Sequence, residues 1–518
     1  MNKKALIFGL LVISAVSLAA AGEDRFDPIR KSVLEKMKKE GLPSMAAAVA
    51  QDGKIIWEEA WGLANVEKKI PATPRTMYSL ASTTKPITAT AVMILVERGL
   101  VDLDKPANLY LGDGKLTGHD PESATVRRLL THTAGLPLHW NLIFADEPYK
   151  RPEMDETIRR YGILTAPPGE EFSYSNLGYG ILERIIERVS GKSYADFLKT
   201  EIFGPLGMTY SAVLLQPGAE GDVAERYTQQ EKPFPFFDFD HRGASAVFAS
   251  AHDLVRFGMF HLGNKLSDQK PVLNADGILS MHRRKDPKVA ASAYALGWSS
   301  FTQSGIRVVS HSGGMFGVGA RLTLLPEKNV ACVVLTNAST GMQGTDLWDI
   351  EWEIFKAVVP GFPEAPQRQA PAPAPAAFVP PESLVGIWEG KVRTSEGDLP
   401  AKLIVEKAGA VRLEIAGQES AALTVPTPLG SLRFRDGVLL APFMASLKTA
   451  DTARAPHILL LGAKMRGDRL DGSLAAVAMN QRFCYPHAIE LQRSAPGWAA
   501  RKEPLALTQP VEDEVVRK

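Results

Sequence analysis

The period of hydrophobic and polar positions changes along this chain, and the changes mark out its parts. Residues 45–50 and 54–61 are two short apolar-rich runs around Asp52-Gly53, the pattern of a β-hairpin. From Ser82 to about Leu262 the spacing turns helical. One apolar run, through Ile87, Ala91, Val92, Ile94, Leu95 and Val96, stops at Gly99. Further helices are predicted from near Thr125 and over 177–189, the latter stopped by Gly191. Strand-like runs return at 308–311, 320–325 and 330–337, and a closing helix covers about 346–358. Strands at both ends with helices between predict an α/β (α+β) fold. One antiparallel sheet is assembled from distant segments, flanked by helices, and interrupted by an inserted helical subdomain.

The composition shifts to Pro and Ala at 361–381, which reads as a stiff extended linker. Beyond it, from 382 to 495, short alternating runs such as 401–405, 411–415 and 458–461 predict a small all-β domain, a barrel or sandwich. Arg435-Asp436-Gly437 and Asp471-Gly472 are read as its turns, and Trp388 in Gly386-Ile387-Trp388 as either a barrel-entry or an ordinary core tryptophan. Residues 496–518 read as a disordered tail. At the other end, Lys3 and Lys4 precede an apolar run over 5–18 and the small residues Ala19-Ala20-Ala21. That is the form of a cleaved signal peptide over 1–21, so a periodic division follows: signal, catalytic-sized domain at 22–360, linker, β domain, tail. The mature protein is expected in the periplasm or outside the cell, with no integral membrane segment.

Of 518 residues, 45% are apolar and 23% charged, and the net charge is +1. Such a balance gives no electrostatic reason to expect nucleic acid as a partner. The two cysteines, Cys332 and Cys484, lie far apart in sequence and read as two buried thiols, with a disulfide as the alternative. There is no His-Glu-x-x-His and no Cys-x-x-Cys, so neither a metal nor another cofactor is expected.

The chemistry is concentrated in Ser82-Thr83-Thr84-Lys85, followed by Pro86 and the first helical run. Residues three apart on a helix are neighbours. A serine hydroxyl needs a base beside it, and a lysine kept from water loses its proton readily enough to be that base. A helix N-terminus adds free N–H groups suited to a developing oxyanion. Ser-x-x-Lys alone is weak, since chance supplies about one or two matches in a chain of this length. A second match, Ser267-Asp268-Gln269-Lys270, sits between Gly263-Asn264 and Pro271, leads into no helix, and reads as a solvated loop.

Two further elements follow Ser82 in a fixed order: Tyr174-Ser175-Asn176 after Pro167-Pro168-Gly169, and His311-Ser312-Gly313-Gly314 at the end of a strand run. With segments 127–136, 168–176 and 243–254, they make residues 28–359 resemble the serine β-lactamase and penicillin-binding protein superfamily. The class C β-lactamase, D-alanyl-D-alanine carboxypeptidase, D-aminopeptidase and family VIII esterase branches are the most similar. The resemblance implies Ser82 as acylated nucleophile and Lys85 and Tyr174 as its proton relay, with the base undecided between them. It implies Asn176 as a hydrogen-bonding partner of substrate and Lys85. It also implies an oxyanion hole from the N–H groups of Ser82 and Gly314, with Gly313 leaving room for substrate. His311 stands where classical penicillin-recognising enzymes usually carry lysine, which weakens the case for a β-lactamase.

His132 is read as structural, bonding backbone near a helix end. Trp140, Phe144, Phe234, Phe236 and Phe237 could line an apolar pocket or pack loops. The expected function is hydrolysis of an ester or amide, in a small molecule or peptidoglycan fragment, through an acyl-Ser82 intermediate. The rival is a catalytically inactive protein of the same fold that binds cell-wall or lipid ligands. The β domain is expected to govern substrate access or assembly; the sequence leaves the oligomeric state open.

Overall fold

The computed structural model describes residues 24–214, 223–283, 293–339, 344–365, 377–424 and 430–494. The signal peptide at 1–21, the linker positions 366–376 and the tail at 496–518 lie outside the described residues. Among those described, no helix is long and apolar enough to cross a membrane.

The hairpin and the late strand runs do form one sheet. Its order is Ser299–Gln303, Ile306–Met315, Val318–Leu325, Val330–Thr336, Ser44–Gln51, Lys54–Asn65, Ile70–Pro71, antiparallel throughout. The join between chain start and chain end is the pairing of Ser44–Gln51 with Val330–Thr336, with Val49 opposite Cys332. Both faces of these central strands are buried, and the period of two shows which residues serve which face. Ala46, Ala48 and Ala50, with Ala331, Val333 and Leu335, face the core shared with helices Thr84–Glu97 and Ala251–His261. Met45, Ala47 and Val49, with Val330, Cys332 and Val334, face the core under helices Asp27–Glu40 and Trp348–Val358. Such two-sided burial explains why the runs are apolar without interruption. The Asp52-Gly53 hairpin has both φ angles positive, 51° and 75°, as the tight turn requires.

Between these strands lies the helical insertion. Helix Asn176–Ser190 is capped by the Ser175 side chain, which accepts from the Gly178 N–H, and ends on Gly191 in left-handed geometry. The short helix Val126–Leu130 is capped in the same way by Thr125. The second Ser-x-x-Lys falls in an exposed turn, as its context predicts.

The C-terminal unit is a nine-strand antiparallel meander, in the order Gln418–Ala421, Val411–Ile415, Gly397–Val405, Gly386–Thr394, Phe483–Arg493, Arg469–Ala478, His457–Arg466, Val438–Phe443, Arg433–Arg435. It curls until Ala422 bridges Phe443. Its concave face is filled by Trp388, Val392, Leu403, Leu413, Leu459, Leu461 and Ile489, among others, so this interior is packed core. Trp388 is fully buried and donates to the Leu384 carbonyl, which settles it as a core residue. The convex face is also used: Ala475, Val477 and Cys484 pack on Trp140, Phe144 and Phe237 of the insertion. Both cysteines are free and buried, on different sheets.

Two sequence expectations need correction. Residues 140–144 lie within the predicted helical middle, yet Trp140–Phe144 is a strand that pairs with Phe483–Arg493 and with Phe237–Phe239, joining the first domain to the C-terminal sheet. Asp471-Gly472 is no turn; it lies inside strand Arg469–Ala478, and the turn falls near Gly467 instead. Gly472 is there because its neighbour's backbone comes close: a Cβ would stand 2.1 Å from the Gly462 carbonyl oxygen. Gly472→Ala is therefore expected to lower the stability of the C-terminal unit by about 1–3 kcal/mol. A denaturation midpoint equal to that of the unaltered protein would contradict this packing.

Candidate active site

Ser82 sits on a single 3₁₀ turn, Ala81–Thr83, that runs into helix Thr84–Glu97. The preceding residue, Ala81, has φ at +44°, a strained conformation for a side chain-bearing residue, held by the surrounding packing. The Leu80 N–H donates to the Val247 carbonyl, and the Thr84 hydroxyl accepts from the Val247 N–H, so the turn is fastened on both sides. Pro86 falls in the first helical turn, where its missing N–H costs nothing.

Ser82 is partly exposed while Lys85 is wholly buried. The Lys85 ammonium nitrogen donates to Ser82 Oγ at 3.0 Å, Asn176 Oδ1 at 2.9 Å and the Ala244 carbonyl at 3.2 Å. All three partners are uncharged, and among the described residues no carboxylate pairs with the amine. Burial therefore holds the Lys85 amine well below the ordinary lysine range. The Lys85 nitrogen also lies 4.8 Å from the ring centroid of Tyr174 and 5.5 Å from that of Tyr179. Tyr174 shifts the opposite way: burial raises its phenol, and the Ser82 side chain offsets only part of this.

Each partner of Lys85 is itself held. Asn176 donates from Nδ2 to the His139 carbonyl at 2.9 Å. The short helix Arg242–Ser245 that offers the Ala244 carbonyl is tied at Gly243, whose N–H donates to Glu183 Oε2 at 2.7 Å and whose carbonyl accepts from Thr88. Burial pushes the Glu183 carboxyl up to about 8. His132 is structural, as read from the sequence. Its Nδ1 accepts from the Ser175 N–H at 3.1 Å, and its ring lies 4.3 Å from that of Tyr174. Burial and the neighbouring Lys85 hold its imidazole well below the usual histidine range.

The third element arrives from the sheet. Strand Ile306–Met315 carries His311, Gly313 and Gly314 past the nucleophile turn. Gly313 is tightly packed against that turn. A Cβ there would stand 2.0 Å from the Leu80 carbonyl oxygen and 3.0 Å from Thr83 Oγ1, so its space is taken by the turn that carries Ser82. His311 is buried. Its Nδ1 pairs with the Ser312 carbonyl at 2.8 Å and its Nε2 with the Tyr294 hydroxyl at 2.7 Å. Burial, reinforced by Lys85, lowers its imidazole to about 3. At neutral pH His311 is thus uncharged, donating from Nδ1 and accepting at Nε2. Tyr294 was missed in the sequence because it stands in no motif; only the fold brings it to His311.

Most of the aromatic residues singled out in the sequence pack between elements. Trp140, Phe144 and Phe237 are buried in one cluster with Ala81 and Met315, the neighbours of Ser82 and Gly314. Phe234 packs on Phe316 at 5.2 Å. As for metals, His139, Asp240 and His241 are the one described group close enough to share an ion. Their atoms already bond one another, with His241 Nδ1 at 2.6 Å and His139 Nε2 at 3.1 Å from the Asp240 carboxylate.

Because Gly313 abuts the nucleophile turn, Gly313→Ala should displace Ser82 and slow acylation by at least about tenfold, with a smaller loss of stability than a core truncation. Equal acylation rates in the two proteins would show that the turn does not depend on this contact.

The Beta-lactamase family model matches residues 29–354. Unguisins hydrolase ungD' of Aspergillus campestris is 28% identical over 352 residues, covering 63% of this chain and 65% of its own length, so just under two thirds of that relative is matched. Among solved structures, SurE aligns over 91% of this chain and 99% of its own, at a TM-score of 0.61 and 24% identity. A class C β-lactamase aligns over 64% of this chain and 95% of its own, at a TM-score of 0.54 and 20% identity. The SurE alignment therefore extends over the C-terminal sheet as well as the Ser82 domain. With the family model spanning most of the first 360 residues and the Ser82, Tyr174 and His311 segments inside it, this chain belongs to the Beta-lactamase family.

Proposed function

We propose that this protein is an exported serine hydrolase that cleaves an ester or amide through an acyl-enzyme on Ser82. The observation that carries this reading is the Lys85 amine, fully buried, 3.0 Å from Ser82 Oγ and without a carboxylate partner. A base must be unprotonated at working pH and within hydrogen-bond reach of the proton it takes. Burial lowers the Lys85 amine in the direction the first condition asks for, and its 3.0 Å separation from Ser82 Oγ meets the second. Tyr174, raised above its ordinary range, keeps its proton and suits the reverse task of donating to the leaving group. Asn176 holds Lys85 and offers the substrate a polar contact. The Ser82 and Gly314 N–H groups receive the developing negative charge.

The substrate reading follows from His311. Neutral, and with both ring nitrogens engaged, it offers no positive charge to a carboxylate beside the scissile bond. Penicillins carry such a carboxylate. This favours peptide and ester substrates over β-lactams, and a relative named as a hydrolase of unguisins supports hydrolysis as the reaction.

Intact-mass spectrometry tests the core of this. Wild type exposed to p-nitrophenyl acetate should gain an acetyl group, and Ser82→Ala should not. The same spectrum of secreted protein should show the chain beginning after Ala21. An adduct that survives in Ser82→Ala would move the nucleophile elsewhere.

Acylation should also depend on pH in a set direction. Because burial lowers Lys85, its amine is free above its depressed pKa, and the rate falls only as acidification protonates it. A rate that instead climbs towards pH 10, the range of an ordinary lysine or tyrosine, would contradict Lys85 as base. Finally, His311→Lys should improve second-order acylation by benzylpenicillin relative to p-nitrophenyl acetate, by about tenfold or more, since it returns a cation to the strand. An unchanged ratio would mean that charge at 311 does not select substrates.

A further inference from the structure

Asn176 is held from both sides. Its Oδ1 accepts from Lys85 and its Nδ2 donates to the His139 carbonyl. The amide is rigid, so the position of the His139 carbonyl decides where Oδ1 stands, and with it the aim of the Lys85 amine. What fixes His139 is therefore a question about catalysis.

The answer lies largely in the other domain. His139 leads into strand Trp140–Phe144, whose Trp140 and Asn141 pair with Cys484 and Phe483 of the C-terminal sheet. The Trp140 indole donates to the Gln481 carbonyl at 2.9 Å, and the Leu142 N–H to the Arg482 carbonyl at 2.8 Å. On the side-chain level, His139 Nε2 meets the fully buried Asp240 carboxylate, which also accepts from Asn141 Nδ2 at 3.0 Å. Asn141 in turn is held by Arg454, from the C-terminal domain. Arg454 Nη1 donates to Asn141 Oδ1 at 2.6 Å, and Nη2 donates to the Leu142 carbonyl at 3.0 Å and Glu147 Oε1 at 2.7 Å. Its guanidinium also bonds the Tyr485 hydroxyl and lies 3.9 Å from the Tyr149 ring centroid. At 7% exposure this cation is committed to the 141–149 segment.

We propose that Arg454 is a positioning residue for acylation. Through Asn141 and Asp240 it fixes His139, through the His139 carbonyl it fixes Asn176, and so it aims Lys85 at Ser82. The C-terminal domain is then a working part of the catalytic site although it lends no group to the reaction. The proposal rests on the reading of Ser82 and Lys85 as nucleophile and base. A mere clasp between domains would look similar in the structure but behave differently: its loss would weaken the protein without regard to Asn176.

A double-mutant cycle separates the two. The acylation rate by p-nitrophenyl acetate is measured for wild type, Arg454→Met, Asn176→Ala and the double variant. Arg454→Met should slow acylation about tenfold in the wild-type background and less than about twofold once Asn176 is gone, because the relay then has no endpoint. An equal factor in both backgrounds, or no effect in wild type, would overturn the proposal. If Arg454→Met does not fold, judged by near-ultraviolet circular dichroism, Asn141→Ala takes its place in the cycle, since it cuts the same relay while leaving Arg454 paired with Glu147. Ser82→Ala is run alongside. Should it acylate as fast as wild type, the nucleophile reading fails; should it be silent while the cycle is additive, the relay alone fails.

Discussion

The burial of one amine without a counter-ion governs this structure. Lys85 is placed at full depth, facing a serine hydroxyl, an asparagine carbonyl and a backbone carbonyl. A buried ammonium without a carboxylate is costly, and the usual escape is to give up the proton. In the mechanism we propose, that escape is the useful state. The cost has to be met by the rest of the fold. The large core around helix Thr84–Glu97 keeps water away, and the partners are fixed so tightly that they cannot relax towards a solvated lysine. A carboxylate at any of these three positions would favour the charged amine, and so oppose the role proposed for Lys85.

The same economy of charge extends around the site. His311 is kept neutral by burial, reinforced by Lys85, and His132 by burial while accepting from the Ser175 N–H. Tyr174 is kept protonated. The groups near Ser82 thus share one character: neutral at working pH, with their donor and acceptor directions set by neighbours. That arrangement suits a reaction in which charge appears only at the transition state, where preorganised donors have most effect. It also shapes selectivity, because a site without a fixed cation gives no advantage to anionic substrates.

Three distant stretches supply this site, and a close approach between them replaces any long-range tether. Gly313 lets the strand carrying His311 lie directly on the Leu80 carbonyl, so the sheet and the nucleophile turn are in register. The strand Trp140–Phe144 does the equivalent for the second domain, taking the C-terminal sheet as its neighbour and passing that constraint to Asn176 through His139. The C-terminal sheet consequently has two packed faces, a filled concave interior and a convex side pressed on Trp140, Phe144 and Phe237.

By itself the sequence determined the local matters. Period-two and period-3.6 patterns named the strands and helices, Asp52-Gly53 and Gly191 set turn and stop, and Ser82 with Lys85 declared a nucleophile and base one helical turn apart, since spacing on a helix fixes geometry without reference to anything else. The order of Ser82, Tyr174 and His311 was enough to identify the family. What the sequence could not decide was whatever depends on burial or on contacts between remote segments. Whether Lys85 or Tyr174 loses its proton depends on depth and on opposing neighbours, which spacing does not encode. Tyr294 and Arg454 stand in no motif and gain their roles only from what the fold sets beside them. Residues 140–144 were lost among helical signals because the partners that make them a strand, Phe237–Phe239 and Phe483–Arg493, both lie far away in the sequence. Gly472 looked like a turn because glycine marks both a bend and a close backbone approach, and only the neighbouring strand tells the two apart.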